Sequence, residues 1–310
     1  MTRFARILVC LDRADQAEPV FDCVRNIARL SESTEVILGC VAPEPAPVTA
    51  GPTPPAQVDF DFTPTRCTNL AEERMPDVAP GVIHTEVILG EPLIKTLKLA
   101  HDRDVDLIVI DRRFGRTGDA EDEALMAERI TRKAHCSVLV LAHACELSAD
   151  RILVPVRDSE CSANALEIAC EIAAATSARV VALNVYHVGA AGYARVGTTF
   201  DEHARLVGDA AQRETQSLLE RVPGCEARIE TCCVADHEGK PATVILKAIQ
   251  QQGAKLVVIG ARGRTGAAGV LLGNVTEKLI HDCPVPVLAV KKKGECLGVL
   301  RALLTLATEG

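Results

Sequence analysis

Short, almost uninterrupted apolar runs recur along the chain, separated by longer stretches of mixed character. Arg6-Ile7-Leu8-Val9-Cys10-Leu11-Asp12 is such a run, and Glu35-Val36-Ile37-Leu38-Gly39-Cys40-Val41 follows it after a stretch of helical length. Asp106-Leu107-Ile108-Val109-Ile110 and Ser137-Val138-Leu139-Val140 continue the series. Apolar runs of this length without polar alternation are the pattern of strands buried on both faces, and the amphipathic stretches between them are the pattern of covering helices.

The series then repeats. Arg151-Ile152-Leu153-Val154-Pro155-Val156-Arg157 partners the first run, and Arg179-Val180-Val181-Ala182-Leu183-Asn184-Val185 the second. Gly90-Glu91-Pro92 has its counterpart in Gly239-Lys240-Pro241, each ahead of a helix. Lys255-Leu256-Val257-Val258-Ile259 and Pro286-Val287-Leu288-Ala289 complete the second set. Strands alternating with helices imply parallel pairing through right-handed crossovers, with helices on both faces of the sheet. The expected fold class is therefore α/β: two doubly wound, Rossmann-like domains, each with a five-stranded, mainly parallel sheet flanked by helices. The expected domains are 1–147 and 148–293, followed by a C-terminal tail, 294–310, with Cys145 to Asp150 as the junction.

Two connections stand apart. Ala42 to Pro64 holds seven prolines and reads as a stiff surface excursion. Gly189 to Thr199 is richer in Gly and Ala and leads into a long helix from about Asp201 to Arg221. The tail, Cys296 to Ala307, is apolar enough for a short helix.

The segment Leu256 to Val290, LVVIGARGRTGAAGVLLGNVTEKLIHDCPVPVLAV, changes the picture from fold to chemistry. A strand ends at Ile259-Gly260, glycines follow at 263, 266 and 269, and Gly273-Asn274-Val275 opens a helix. Glycines let backbone N–H groups come close to an anion, and a helix N-terminus favours negative charge. In doubly wound sheets ligands lie beyond the C-terminal ends of the strands, where the strand order reverses, and this loop follows the fourth strand of its half. A phosphate-bearing ligand is expected there.

Composition narrows the partners. The 310 residues are 48% hydrophobic and 25% charged, with 3% aromatics and no Trp, so the core is built from aliphatic side chains. The formal net charge of −8 argues against nucleic acid, whose phosphates need clustered Lys and Arg. No apolar stretch approaches the about 20 residues that span a bilayer, so a cytoplasmic protein without membrane contact is expected. The thirteen cysteines are scattered and odd in number, the pattern of reduced, buried thiols rather than a disulfide framework. Cys232-Cys233 with Asp236 and His237 has no standard metal spacing, and strand alternation would turn the two thiols to opposite faces.

Gly260-x2-Gly263-x9-Gly273, after an Ile/Val strand and before Val285-Pro286-Val287-Leu288, closely resembles the ATP-binding signature of universal stress proteins. Ile152-Leu153-Val154-Pro155-Val156 followed by Asp158-Ser159 is similar to that family's opening motif. The two halves together resemble a tandem universal stress protein over nearly the whole chain. The resemblance implies an ATP-binding stress-response regulator or adaptor, with ATP, alone or with magnesium, held by the second half. Pro155, Val156 and Arg157 would border the adenine, with Val185 against the base. Gly260 and Gly263 would pass close to ribose and phosphates. Gly273, Asn274 and Val275 would offer N–H groups, and Arg262 would pair with phosphate oxygens, as would Arg264.

Two positions depart from the family pattern. The usual Asp after the first strand is Arg157, with Asp158 one place later, which weakens adenine recognition. The usual Ser or Thr after the last glycine is Asn274, whose side chain is expected to cap the helix. In the first half Asp12 is kept, but Asp111-Arg112-Arg113-Phe114-Gly115 replaces the glycine loop. Ala124 and Leu125 stand at the Gly273 and Asn274 positions, and Asp119, Glu121, Asp122 and Glu123 would repel a polyphosphate. That half reads as degenerate for ATP. The resemblance also implies pairing of the fifth strands, Cys136 to Leu141 with Val285 to Val290, inside one chain, and leaves room for a homodimer and an unidentified protein partner.

No nucleophile and base pair up on these loops, and there is no Walker-type Gly-x4-Gly-Lys-Ser/Thr. Slow ATP hydrolysis is compatible with the residues, as is a nucleotide-free interaction scaffold; a dedicated enzyme is not indicated. His281 reads as a helix-end residue and His187 as a neighbour of the cleft.

Overall fold

The computed structural model describes residues 4–11, 17–31, 35–42, 64–76, 78, 82–114, 123–142, 150–189, 199–222, 229–261 and 272–292. The Pro-rich excursion from 43 to 63, the 115–122 and 262–271 loops, the 143–149 junction and the tail lie outside them. The chain divides into two compact units, with Met1–Glu146 in the first and Leu147–Lys292 forming the second.

In the first unit the chain runs β1 (Arg6–Leu11), α1 (Ala17–Ser31), β2 (Glu35–Ala42), α2 (Pro64–Arg74), β3 (Ile83–Leu89), α3 (Pro92–Asp102), β4 (Leu107–Asp111), α4 (Glu123–Lys133) and β5 (Ser137–Leu141). Parallel pairing gives the order β3-β2-β1-β4-β5. Every residue of β4 and β5 is buried, as a strand covered by helices on both faces must be.

The second unit repeats the plan with β6 (Arg151–Pro155), α5 (Glu160–Thr176), β7 (Arg179–His187), α6 (Phe200–Glu220), β8 (Ile229–Asp236), α7 (Pro241–Gln252), β9 (Leu256–Gly260), α8 (Asn274–Asp282) and β10 (Val287–Val290). Its order is β8-β7-β6-β9-β10, again parallel. In both sheets the strand order reverses between the first and fourth strands, so each crevice opens beyond β1 and β4 or beyond β6 and β9.

The duplicated turns have a common geometry. Gly90 and Gly239 take φ of +128° and +72°, and Pro92 and Pro241 occupy the first helical position behind them. Glycine supplies the left-handed bend, and proline costs nothing where the N–H would be unpartnered. At the far ends of the same helices the chain bends left-handed again, through Asp104 in one unit and Gly253 in the other. The next N–H returns to the helix in both, Val105 to the Ala100 carbonyl and Ala254 to the Ile249 carbonyl.

Of the cysteines, Cys10, Cys23, Cys40, Cys67, Cys136, Cys161, Cys232, Cys233 and Cys283 are free, while Cys170 is disulfide-bonded. Among the described residues no group of three or more His, Cys, Asp or Glu gathers as a metal cage. Among them, too, no helix is long and apolar enough to cross a membrane.

Candidate functional site

The second crevice begins where β6 and β9 part. Their register runs only from Ile152↔Leu256 to Leu153↔Val257, whereas β1 and β4 stay paired through Cys10↔Ile110. Pro155 stands where the first half has Cys10, and it explains the difference. The N–H of Val156 turns to Leu183 of β7 at 2.8 Å, so by strand alternation the nitrogen of Pro155 turns to β9, and it has no hydrogen to give. The fork between the two strands is thus opened by one imino acid.

Behind the fork, Val185 and Ile259 are buried in a core cluster with Leu153, Ile245 and Leu279. Val156 is buried as well. These side chains build the floor of the crevice and leave its chemistry to the backbone and to Arg157.

Arg157 crosses the end of β7. Its Nη1 donates to the Val185 carbonyl at 2.7 Å, and its own N–H is accepted by Ser162 Oγ at 3.0 Å. Ser162 belongs to the start of α5, which Ser159 caps by accepting from the Ser162 N–H at 3.1 Å. Asp158 points the other way: its N–H donates to Glu214 Oε1 at 2.7 Å and its carboxylate is paired with Arg221 of the α6 end. The acidic residue displaced by one position is therefore engaged by α6, while a cation holds the strand-end acceptor.

The glycine at position 260 is demanded by packing. Its φ is not left-handed, but a Cβ there would sit 2.7 Å from Cys161 Cβ and 2.9 Å from the Cys161 carbonyl oxygen. The first turn of α5 lies directly against the end of β9. Thr276 Oγ1 of α8 donates to the Gly260 carbonyl at 3.2 Å, and Ala261 N–H donates to Val290 at 2.9 Å, so three elements converge on this strand end.

The start of α8 completes the site. Gly273 is its N-cap, and no side chain caps the helix; the expected capping by Asn274 is not made, because Asn274 is already the first helical residue. Gly273 spends its own N–H on the Ala261 carbonyl at 3.1 Å, and Glu277 is the first to donate back into the helix, to Gly273 at 2.9 Å. The donors of the helix start are thus the N–H groups of Asn274, Val275 and Thr276, fastened to the end of β9 by the Gly273 and Thr276 bonds. Arg262, Gly263 and Arg264 lie outside the described residues.

His187 is exposed, with Nδ1 2.9 Å from the Asp236 carbonyl and Nε2 where a Cβ on Gly189 would meet it. His281, also exposed, contacts Asp282 at 2.6 Å at the helix end. Sequence reasoning did not single out Ser162, Thr276, Cys161, Glu214 or Arg221. Ser159-x-x-Ser162 carried a capping signal; the others act across 16 to 99 residues and leave no local trace.

The corresponding strand end of the first unit is built otherwise. Asp111 is buried and its carboxylate accepts the Arg113 N–H at 2.8 Å, while Phe114 donates to the Asp111 carbonyl at 3.0 Å. Phe114 is 1% exposed, so an aromatic ring is packed into the interior directly after β4.

The Universal stress protein family model matches residues 3–142 and again 148–291. Universal stress protein MJ0531 of Methanocaldococcus jannaschii is 32% identical over 146 residues, covering 46% of this chain and 82% of the relative. Universal stress protein Rv2623 of Mycobacterium tuberculosis is 22% identical over 298 residues, 92% of this chain and 96% of the relative. Among solved structures, the functionally unknown protein PA1789 of Pseudomonas aeruginosa superposes with a TM-score of 0.68 at 16% identity, covering 99% of this chain and 98% of that one. The two matches, laid end to end on two copies of one parallel-sheet plan, make this chain a member of the universal stress protein family, carrying two of its domains in tandem.

Proposed function

We propose that the second unit binds a nucleotide, with ATP as the first candidate, and that occupancy sets this chain's contacts with a protein partner in a stress response in the cytoplasm. The observation that carries the reading is the uncapped start of α8, tied by Gly273 and Thr276 to the end of β9 beside the fork that Pro155 opens. Three N–H donors without a partner among the described residues, with the positive end of a helix dipole, suit a phosphate. The glycine loop of the sequence runs into that helix start.

The base end is the more demanding part. The Val185 carbonyl is the strand-end acceptor beside the crevice, and Arg157 already donates to it. A base whose amino group is to use that oxygen must displace a guanidinium. The phosphate end therefore supplies most of the affinity, and base discrimination is weak. The first unit takes no part in this reading, since Phe114 and the Asp111 turn occupy its strand end.

Nucleotide released from the denatured, freshly purified protein and identified by mass spectrometry, followed by calorimetric titration with ATP and ADP with and without magnesium, tests the proposal. Binding that disappears in Gly263→Val while the fold is retained supports it. No released nucleotide together with no heat of binding sinks it and leaves an interaction scaffold.

A further inference from the structure

The first unit carries chemistry that nucleotide binding does not use. Cys40, near the C-terminal end of β2, and Cys67, in the second half of the opening turn of α2, bring their sulfur atoms to 3.1 Å. Both are buried. Disulfide sulfurs lie about 2 Å apart, so roughly 1 Å of closure separates this contact from a covalent bond.

The pleat of the sheet puts the neighbouring thiol, Cys10, on the opposite face from this pair. A Cβ on Gly39, the neighbour of Cys40, would face Leu99 of α3, and Cys10, the register partner of Gly39, has its sulfur 4.0 Å from Thr96 of α3. Cys10 therefore lies on the α3 face, and Cys40 lies on the other face with α2. Their settings are unequal. The hydrogen bond from Cys40 holds the Cys67 thiol below its usual value against the opposing effect of burial, and a backbone hydrogen bond and the Arg66 charge add to it. The same bond, with burial, pushes the Cys40 thiol up. In the first turn of its helix, beside the helix's positive end, Cys67 is placed to attack once α2 opens, and Cys40 to resolve.

We infer that Cys40 and Cys67 form a peroxide-reactive dithiol, which oxidises to a disulfide stapling β2 to α2. The Cys67 thiolate attacks hydrogen peroxide; an S–O bond forms, the O–O bond breaks, and the departing hydroxide leaves as water once protonated. Cys40 sulfur then attacks the Cys67 sulfenic acid; the S–S bond forms, the S–O bond breaks, and the hydroxyl leaves as a second water with the Cys40 proton. The two thiols lose two electrons and the peroxide gains them.

Access comes from α2 itself. Among the described side chains of that helix Cys67 and Ala71 are fully buried, followed by Met75 just past its end, while Thr65, Arg66, Asn69, Glu72 and Glu73 are exposed. So few apolar anchors make a helix that opens locally at low cost. Once formed, the bond would pin both ends of the segment from Val41 to Arg66, which contains the Pro-rich excursion.

The reduced full-length chain, treated with a small excess of hydrogen peroxide, alkylated, digested and mapped by mass spectrometry, tests this. The expected product is a peptide pair joined through Cys40 and Cys67, two hydrogens lighter than the separate peptides and separated by dithiothreitol. In Cys40→Ser, Cys67 is expected to accumulate as a dimedone-trapped sulfenic acid, whereas Cys67→Ser should leave no adduct at Cys40. The wild-type map alone decides if a variant fails to fold. Cys40 and Cys67 both alkylated after unfolding, as buried Cys23 should be, or joined to other cysteines, would overturn the inference.

Discussion

Replacing Gly260 by Ala separates two reasons for a glycine at the end of β9. If the residue serves only to let a phosphate approach, the nucleotide-free protein should not notice an added methyl group. The structure predicts that it will. The new Cβ would lie 2.7 Å from Cys161 Cβ, 2.9 Å from the Cys161 oxygen and 3.0 Å from its carbonyl carbon. Two of these three atoms are backbone, so no rotamer change relieves the clash; the first turn of α5 must move away from β9. Its neighbours Ala165, Leu166 and Ala169 are buried, which makes that movement a repacking of the helix face. Overpacking of this kind costs about 1–3 kcal/mol. For a domain of this size about 2–4 °C is lost per kcal/mol, so the second unit should melt about 2–12 °C lower. Differential scanning calorimetry of the full chain without nucleotide reads this directly. Gly253→Ala is the comparison: nothing lies within 4 Å of its Cβ, and φ is +60°, so only about 1 kcal/mol of backbone strain is expected. A Gly260→Ala protein melting with the parent would refute the packing argument and return the glycine to the ligand.

Four further outcomes are expected. Arg157→Asp frees the Val185 carbonyl and adds an acceptor, so ATP should bind about 3- to 10-fold more tightly by calorimetry, the worth of one net hydrogen bond; affinity at or below the parent's would count against the exchange. Pro155→Cys restores the first half's residue and an N–H towards β9, so hydrogen exchange at that amide should be slow and nucleotide affinity lower; rapid exchange there would show that the fork is not held open by the imino acid. Phe114→Ala should destabilise the first unit by about 3–5 kcal/mol in denaturant titration and still yield no nucleotide binding there. Burial alone would raise the Asp282 carboxyl, but hydrogen bonds from Lys278 and His281 outweigh it and hold it below its ordinary 3.8. A depressed carboxyl stabilises the fold above that value and ceases to as pH falls through the folded one; Asp282→Asn should therefore cost under about 1 kcal/mol at pH 6 and converge with the parent once the pH has fallen through the folded value.

The duplicated apolar runs made the α/β, Rossmann-like fold legible, because strands buried on both faces leave little room for polar residues. Gly90-Glu91-Pro92 and Gly239-Lys240-Pro241 were legible for the same kind of reason: a left-handed bend followed by a helix start admits few residues. The site was read less well, since its residues act through long-range partners. That Arg157 reaches Val185, that Asp158 is taken by Arg221, and that Gly260 answers to Cys161 depend on how α5 and α6 lie on the sheet, which no local pattern encodes. The helix cap was misassigned by one residue, because Gly273, without a side chain, left Asn274 as the only capping side chain in view. Cys40 and Cys67 are 27 positions apart across a Pro-rich excursion, and spacing alone gives no reason to pair them.

The backbone around Arg157 is held from three directions: by Ser162 on its own N–H, by Glu214 on the N–H of Asp158, and by Arg221 on the Asp158 carboxylate. With the main chain so fixed, exchanging Arg157 for a ligand at the Val185 carbonyl is a swing of one exposed side chain. Such swings take picoseconds to nanoseconds, against microseconds or longer for a loop that must close. A ligand that took the Val185 carbonyl would therefore exchange with Arg157 on a side-chain clock at that one contact.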